Sequence, residues 1–394
     1  MYIILTPYNA HYDGNVGANL VTESTVKLIK QVRGSINAKI HFRREDFTSR
    51  LSYLNSAKAI IIPNLHITKN SRPYYYRIAK SLDDVEPPII PINCLYNFLP
   101  MYKDHLYDQK LDKKTKSFLD YIIQFTPDNV LPSRSNYVSQ IIKQNGYKAR
   151  LVGDPGWYDP DYIGKPFHKP KKINQLVFTP PHSGINELFT NQAKVLLKLL
   201  NQKFKDANRI FSIHTAWDPN INPNEDLVNF ASQFGWEIRY TSHDTSNLDF
   251  YKNSDLHVGY LKHGHLAHLR WRRPSIVLAE NSRAQGLNET LGVAGVPAFS
   301  PKFKKATTIF VNKVQSYRPV KVIGKINSSF TSGNTILNQK NFLIKPNENA
   351  VDEVMQFIKQ QKSNGWQAYD KIGRIFDDTY NKQMMPYLDE SIPK

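Results

Sequence analysis

The sequence predicts an α/β protein built from two similar units, each with a largely parallel sheet. Short apolar runs alternate with helical patterns along most of the chain, which is the signature of strands linked by crossover helices. A proline- and lysine-rich stretch at 164–172 interrupts this alternation and reads as a linker. The length of 394 residues also exceeds one ordinary core.

The first unit opens with a buried-strand run, Tyr2-Ile3-Ile4-Leu5. It has no basic start and no cleavage-site pattern, so we read it as a strand and not as a signal peptide. A loop at 13–19 follows, and Val21, Val26, Leu28, Ile29 and Val32 then mark a helical stripe. Residues 59–64 and 88–93 read as further buried strands, each ending in polar residues. A helix over 118–123, a short strand over 129–134 and a helix over 135–145 closed by Gly146 complete the unit. In the second unit, strands are predicted at 176–179, 209–214, 236–240, 256–260 and 275–279. Helices are predicted at 191–204 and 227–234, and the polar run after 260 reads as a histidine-rich turn. We therefore place an N-terminal domain at 1–165 and a C-terminal domain at 173–346. The helical segment from about 347 to 394 is expected to pack back on the first domain.

Composition is that of a globular enzyme, with 40% hydrophobic and 22% charged residues. No 18-residue apolar run suggests a membrane span. Cys94 is the only cysteine, so no intrachain disulfide can form and a reducing, cytosolic setting fits. The net charge of +18 favours anionic partners. The lysines are scattered and no nucleic-acid signature is present, so we expect no nucleic-acid partner. A solvated basic surface explains the charge equally well. An anionic membrane face, with peripheral association there, is the next reading.

The most informative segment runs from Asp255 to Gly292. It contains Gly259-Tyr260, then Leu261-Lys262-His263, the apolar strand 275–279, Glu280-Asn281-Ser282-Arg283 and Gly286-Leu287-Asn288-Glu289. This segment resembles the polysaccharide pyruvyl transferase family, in which a Gly-Tyr strand end leads into Arg-x-His and a later apolar strand ends in an acidic residue and a cation. Earlier, Gly14-Asn15-Val16-Gly17 resembles that family's glycine loop, with Ala18 in place of its aspartate. Ser133-Arg134-Ser135 and Gly153-Asp154-Pro155 resemble two further segments of it. The resemblance implies a glycosyltransferase-B-like fold of two Rossmann-like domains facing a cleft. It also implies pyruvyl transfer from phosphoenolpyruvate to a sugar or lipid-linked oligosaccharide, forming a pyruvate ketal. No cofactor beyond the donor substrate is expected.

His263 matches the motif histidine and is our candidate general acid, because C3 of phosphoenolpyruvate must be protonated as a hydroxyl attacks C2. Arg283, Arg134, Lys262 and His265 are candidate ligands for the phosphate and carboxylate. The family arginine is replaced by Leu261. Lys262 can stand in only if the chain turns there, since neighbours on an extended backbone face opposite ways. Asn15, Gly14 and Gly17 are candidates for close backbone approach to a sugar or anion, although a plain tight turn explains them as well. His263-x-His265-x-x-His268 invites a zinc reading, but no carboxylate or cysteine pattern supports it and we expect no metal. Trp157, Tyr158, Tyr162, Trp217 and Trp271 could stack on a pyranose, with core packing the ordinary alternative. Two rival functions are kept: a glycosyltransferase using a nucleotide-sugar donor, and an inactive basic carbohydrate- or membrane-binding homologue.

Overall fold

The structure is a computed structural model that describes residues 1–11, 14–68, 71–96, 109–181, 186–216, 225–292, 295–300, 304–305, 342–343 and 346–394. The strands of the first unit are β1 (Tyr2–Thr6), β2 (Ala38–Phe42), β3 (Ala59–Ile62), β4 (Leu65–His66), β5 (Ile89–Pro91), β6 (Cys94–Leu95), β7 (Val130–Ser133) and β8 (Lys148–Leu151). All of their pairings are parallel. Two four-stranded sheets result, β2-β1-β3-β5 and β4-β6-β7-β8. They are halves of one array, because β3 runs on into β4 and β5 runs on into β6 after a two-residue break. Backbone bonds Ile92 N to Ile62 O (2.9 Å) and Leu65 N to Asn93 O (2.7 Å) carry the pairing across that break.

The second unit contains β9 (Gln175–Thr179), β10 (Asn208–Ile213), β11 (Glu237–Tyr240), β12 (Leu256–Gly259), β13 (Ser275–Ala279) and β14 (Gly295–Pro297). They form one parallel sheet ordered β11-β10-β9-β12-β13-β14. The order reverses between β9 and β12, which is the topological switch point of a doubly wound sheet. The main helices are α1 (Val16–Arg33), α2 (Lys113–Ile122), α3 (Asn136–Gln144), α4 (Asn186–Lys203), α5 (Glu225–Gln233), α6 (Lys262–Arg270), α7 (Ser282–Leu291), α8 (Ala350–Ser363), α9 (Ala368–Thr379) and α10 (Met385–Ser391). The chain therefore consists of two Rossmann-like α/β domains.

The last two helices return to the first unit. Tyr387 donates to Pro91 O at 2.6 Å, Arg33 pairs with Asp389 at 2.6 Å, and Phe376 stacks on Trp157 at 5.1 Å. The domains also meet through α3 and α7, where Tyr137 donates to Glu289 at 2.5 Å and Asn136 N to Thr290 Oγ1 at 3.0 Å. Among the described residues, no helix is long and apolar enough to cross a membrane.

Three strands went unforeseen: β2, β8 and β14. Each lies at the edge of its array. An edge strand is half-wetted and needs no continuous apolar run, so Lys39, His41, Lys148 and Arg150 hide it from a search for buried strands. The other correction is α6, which occupies the run read as a polar turn. Its Lys262, His265, His268 and Arg270 are all buried. A helix covered on every side by polar partners shows no amphipathic stripe.

Candidate functional site

The carboxyl ends of strands from both domains converge on Asp154. It follows β8 and is fully buried. Arg134, the first residue after β7, donates to its Oδ2. Lys262, the first residue of α6 after β12, donates to the same oxygen at 3.0 Å. Gly156 N donates to Oδ1 at 2.9 Å. Burial alone would raise the Asp154 carboxyl, but Arg134 and Lys262 outweigh it and hold the pKa at about 2. Asp154 is therefore an anion that ties the two domains together through two cations.

The chain turns at Leu261, so Lys262 enters the cleft side of the helix and not the opposite face of an extended strand. Leu261 occupies the N-cap with φ −71° and ψ 116°. Its N–H reaches Thr179 Oγ1 at 3.3 Å. Lys262 is pulled down to about 7 by burial, then by the charge of Arg134, with Asp154 opposing and Arg283 adding to the fall. Arg283, in the first turn of α7 beyond β13, is lowered to about 10 by burial and then by Arg134. His263 lies within the field of the same cations. Burial first, then Lys262, Arg283, His214 and Arg134, push its pKa well below the usual value, so its imidazole is neutral at pH 7 in the empty site. Three cations and a neutral histidine thus share one cleft whose buried counter-ion is Asp154. An added anion is the natural complement of this arrangement.

The glycine loop holds His263 from the other side. A Cβ at Gly17 would lie 2.2 Å from the His263 ring, so only glycine lets α1 begin against that imidazole. Gly14 has φ +50°, and a Cβ there would lie 2.3 Å from the His243 ring. Backbone bonds from Val16 N to His214 O (3.0 Å) and from His243 N to Gly14 O (2.6 Å) complete this seam. The close approach foreseen for Gly14 and Gly17 is thus made to two histidines of the second domain. The Asn15 side chain caps α1 by accepting from Ala18 N at 3.1 Å.

Sequence reasoning grouped other residues with this site that the structure places elsewhere. His265 is two residues beyond His263 on a helix, hence on the far side of it. Its Nδ1 meets Ser275 Oγ at 2.7 Å, between α6 and the sheet. His268 bonds Gly264 O at 2.8 Å and stacks on His257 at 4.6 Å. His263, His265 and His268 do not converge, and no group of three or more His, Cys, Asp or Glu among the described residues is placed to hold a metal. The aromatic candidates Trp157 and Tyr158 are core. Trp271 is buried and donates to Asp159 at 3.0 Å. Tyr162 packs at the edge of the small core beneath α1, and Trp217 lies outside the described residues. Arg270 and Arg272 are committed to Asp159 and Asp377.

Asp154 was quoted only as part of a Gly-Asp-Pro resemblance, and its role was missed. Also missed was a set of residues across the cleft in the first domain. Arg43 directly follows β2, His66 lies in β4, and Tyr75 packs between them in sequence and in space. The Arg43 guanidinium sits 4.8 Å from the Tyr75 ring centre, and the His66 ring is stacked on Tyr75 at 4.1 Å. Burial first, then Arg43, Arg283 and Arg134, lower the pKa of His66 well below the usual value. The two groups therefore share one electrostatic field.

No protein-family model matches this chain, and no curated protein matches it in sequence. Solved structures with a similar chain path include trehalose-6-phosphate from E. coli bound with UDP-2-fluoro glucose, at TM-score 0.47 and 9% identity over 100% of both chains. The S. aureus MnaA–UDP co-structure is similar at TM-score 0.45 and 10% identity, over 92% of this chain and 97% of that one. UDP-GlcNAc 2-epimerase from Neisseria meningitidis bound to UDP-GlcNAc is similar at TM-score 0.43 and 8% identity, over 97% and 98%. At these scores the likeness carries no residue, substrate or activity over to this chain.

Proposed function

We propose that the protein moves a group from a small phosphate-bearing donor to a sugar hydroxyl, and that the donor is phosphoenolpyruvate. The observation that supports this reading is the convergence of Arg134, Lys262 and Arg283 beside His263 at the carboxyl ends of facing strands. A phosphate and a carboxylate on three carbons match a compact cation cluster better than they match an extended groove. Arg283, Lys262 and Arg134 hold the two anionic groups. A sugar hydroxyl then attacks C2 while His263 passes a proton to C3. A second hydroxyl closes the ketal and phosphate leaves with the other proton. The bound anion raises the His263 and Lys262 pKa values, offsetting the neighbouring cations, so the imidazole can carry the proton it must deliver.

This arrangement makes donor binding proton-linked. In the empty site Lys262 titrates at about 7. A bound anion favours its charged form, so binding takes up a proton above that pH. Donor affinity is expected to fall as pH rises through 7 to 8, by up to about tenfold per unit between the free and bound values. Calorimetry in two buffers of different ionisation enthalpy measures the uptake. A pH-independent affinity with no proton uptake between pH 7 and 8.5 removes Lys262 from the donor site.

A second reading is glycosyl transfer from a nucleotide sugar. The strand order of the second domain favours it, since its switch point between β9 and β12 is where doubly wound sheets take nucleotides. Saturable binding of phosphoenolpyruvate, with phosphate released only when a sugar acceptor is present, supports the first reading. Binding of UDP or a UDP-sugar in its place supports the second.

A further inference from the structure

We infer that the first-domain side of the cleft is built for an acidic sugar, a pyranose whose carboxylate is taken by Arg43 and whose hydroxyls are taken by Asn64, His66 and Asn93. The inference rests on the reading of the protein as a transferase with a sugar acceptor and adds the charge class of that acceptor.

The argument begins with unsatisfied groups. Arg43 Nε and Nη1, Asn64 Oδ1, His66 Nδ1, Thr68 Oγ1 and both amide atoms of Asn93 are buried without a protein hydrogen-bond partner. These are seven of eighteen such atoms among the described residues, gathered in one part of one domain. Buried polar atoms are ordinarily paired, and leaving them unpaired is costly. The topology explains why they lie together. Asn64 and Asn93 sit at the breaks where β3 runs into β4 and β5 into β6, and their neighbours Leu65 and Cys94 are directly paired. At a break the backbone ladder lapses, so side chains there are aimed at something other than the sheet. Tyr76 holds this region in place by accepting from His66 N at 3.0 Å and donating to Asn64 O at 3.1 Å.

The chemistry of the set selects the ligand. Asn and His side chains offer both donors and acceptors, as ring hydroxyls require. Tyr75 supplies an aromatic body beside them. Arg43 supplies two free N–H groups of a planar fork, which match a carboxylate. Arg43 makes no ion pair among the described residues, unlike Arg134, Arg270 and Arg272. A neutral sugar would leave that guanidinium without its complement. A uronate satisfies it. The Arg283 charge reaches both His66 and Tyr75, so the acidic sugar would lie directly opposite the donor cluster.

The test uses the intact chain without donor. Methyl uronides of gluco, galacto and manno configuration are titrated by calorimetry beside the matching neutral methyl glycosides and inorganic phosphate. At least one uronide is expected to bind tenfold or more tightly than its neutral partner. Arg43→Gln should erase that preference while leaving neutral-sugar binding unchanged, with the fold checked by circular dichroism. Its melting temperature should stay the same or rise, because an unpaired buried cation is removed. Asn64→Ala, which removes an atom with no protein partner, should weaken uronide and neutral sugar by similar factors. Equal affinity for charged and neutral sugars, or binding of neither, overturns the inference. So does displacement of uronide by phosphate with both weakened by Arg43→Gln, because Arg43 would then serve the donor. Since no donor is present, a failure of phosphoenolpyruvate turnover leaves this result standing, and a failure here leaves the donor reading standing.

Discussion

Replacing Asp154 by asparagine is expected to destabilise the protein by about 3–5 kcal/mol, the usual cost of removing one partner from a buried ion pair. Arg134 and Lys262 would remain buried facing a neutral amide that cannot compensate either charge. The loss should appear in urea or thermal unfolding, with the domain seam opening first. Lys262→Met in the same chain should recover part of it, since one stranded cation is then gone. The effect also has a pH signature. The folded Asp154 pKa is depressed to about 2 from a usual 3.8. Its contribution is therefore fully present above pH 3.8 and fades as pH falls toward 2. The asparagine variant should lack that component of acid sensitivity. A stability within 1 kcal/mol of the parent would show that the two domains are not joined through this carboxylate.

The second large effect concerns His263. His263→Ala is expected to lower turnover by roughly 10²–10⁴-fold, the range for a lost general acid. The fold should survive, because the imidazole rests against Gly17 and its removal leaves only a small gap at a partly exposed position. Donor affinity should change far less than turnover, since a histidine neutral in the empty site contributes little to holding an anion. Near-parental turnover in the folded variant would move the proton transfer to Lys262, the group nearest to titrating at neutral pH.

The central strands of both domains were legible because burial on both faces leaves continuous apolar runs such as Ile60-Ile61-Ile62 and Ile276-Val277-Leu278. The edge strands were not legible, and that had a consequence for the site. Arg43 stands immediately after β2, so missing the strand also hid the residue. Helix α6 escaped for a related reason. His265 and His268 are buried by bonds to Ser275 and Gly264, and Arg270 by bonds to Ser24 and Asp159. Polar residues satisfied in this way read as a solvent-facing turn. The same error made His265 look like a neighbour of His263, when helical geometry sets them on opposite sides.

His263, Arg283, Lys262 and Arg134 could be picked out one at a time because each follows a strand end. What sequence could not give was their relation to Asp154. That relation depends on how two domains meet across more than a hundred residues. Asn64 and Asn93 were seen as polar ends of apolar strands, but their unpaired side chains depend on the break between the two half-sheets. Gly14 and Gly17 were marked as positions of close approach without any sign of what approaches. The answer, His243 and His263, lies more than two hundred positions later in the chain.

The most direct test of the account is titration of the intact chain with phosphoenolpyruvate, followed by phosphate release when sugar acceptors are added. The account predicts saturable binding of phosphoenolpyruvate. Arg283→Ala should weaken it by about tenfold or more, which is on the order of 1.5–3 kcal/mol for one charge-assisted contact. Phosphate should appear only with an acceptor, in equal amount to a new pyruvate ketal. Absence of phosphoenolpyruvate binding, together with saturable binding of a UDP-sugar that Arg283→Ala abolishes, would contradict it.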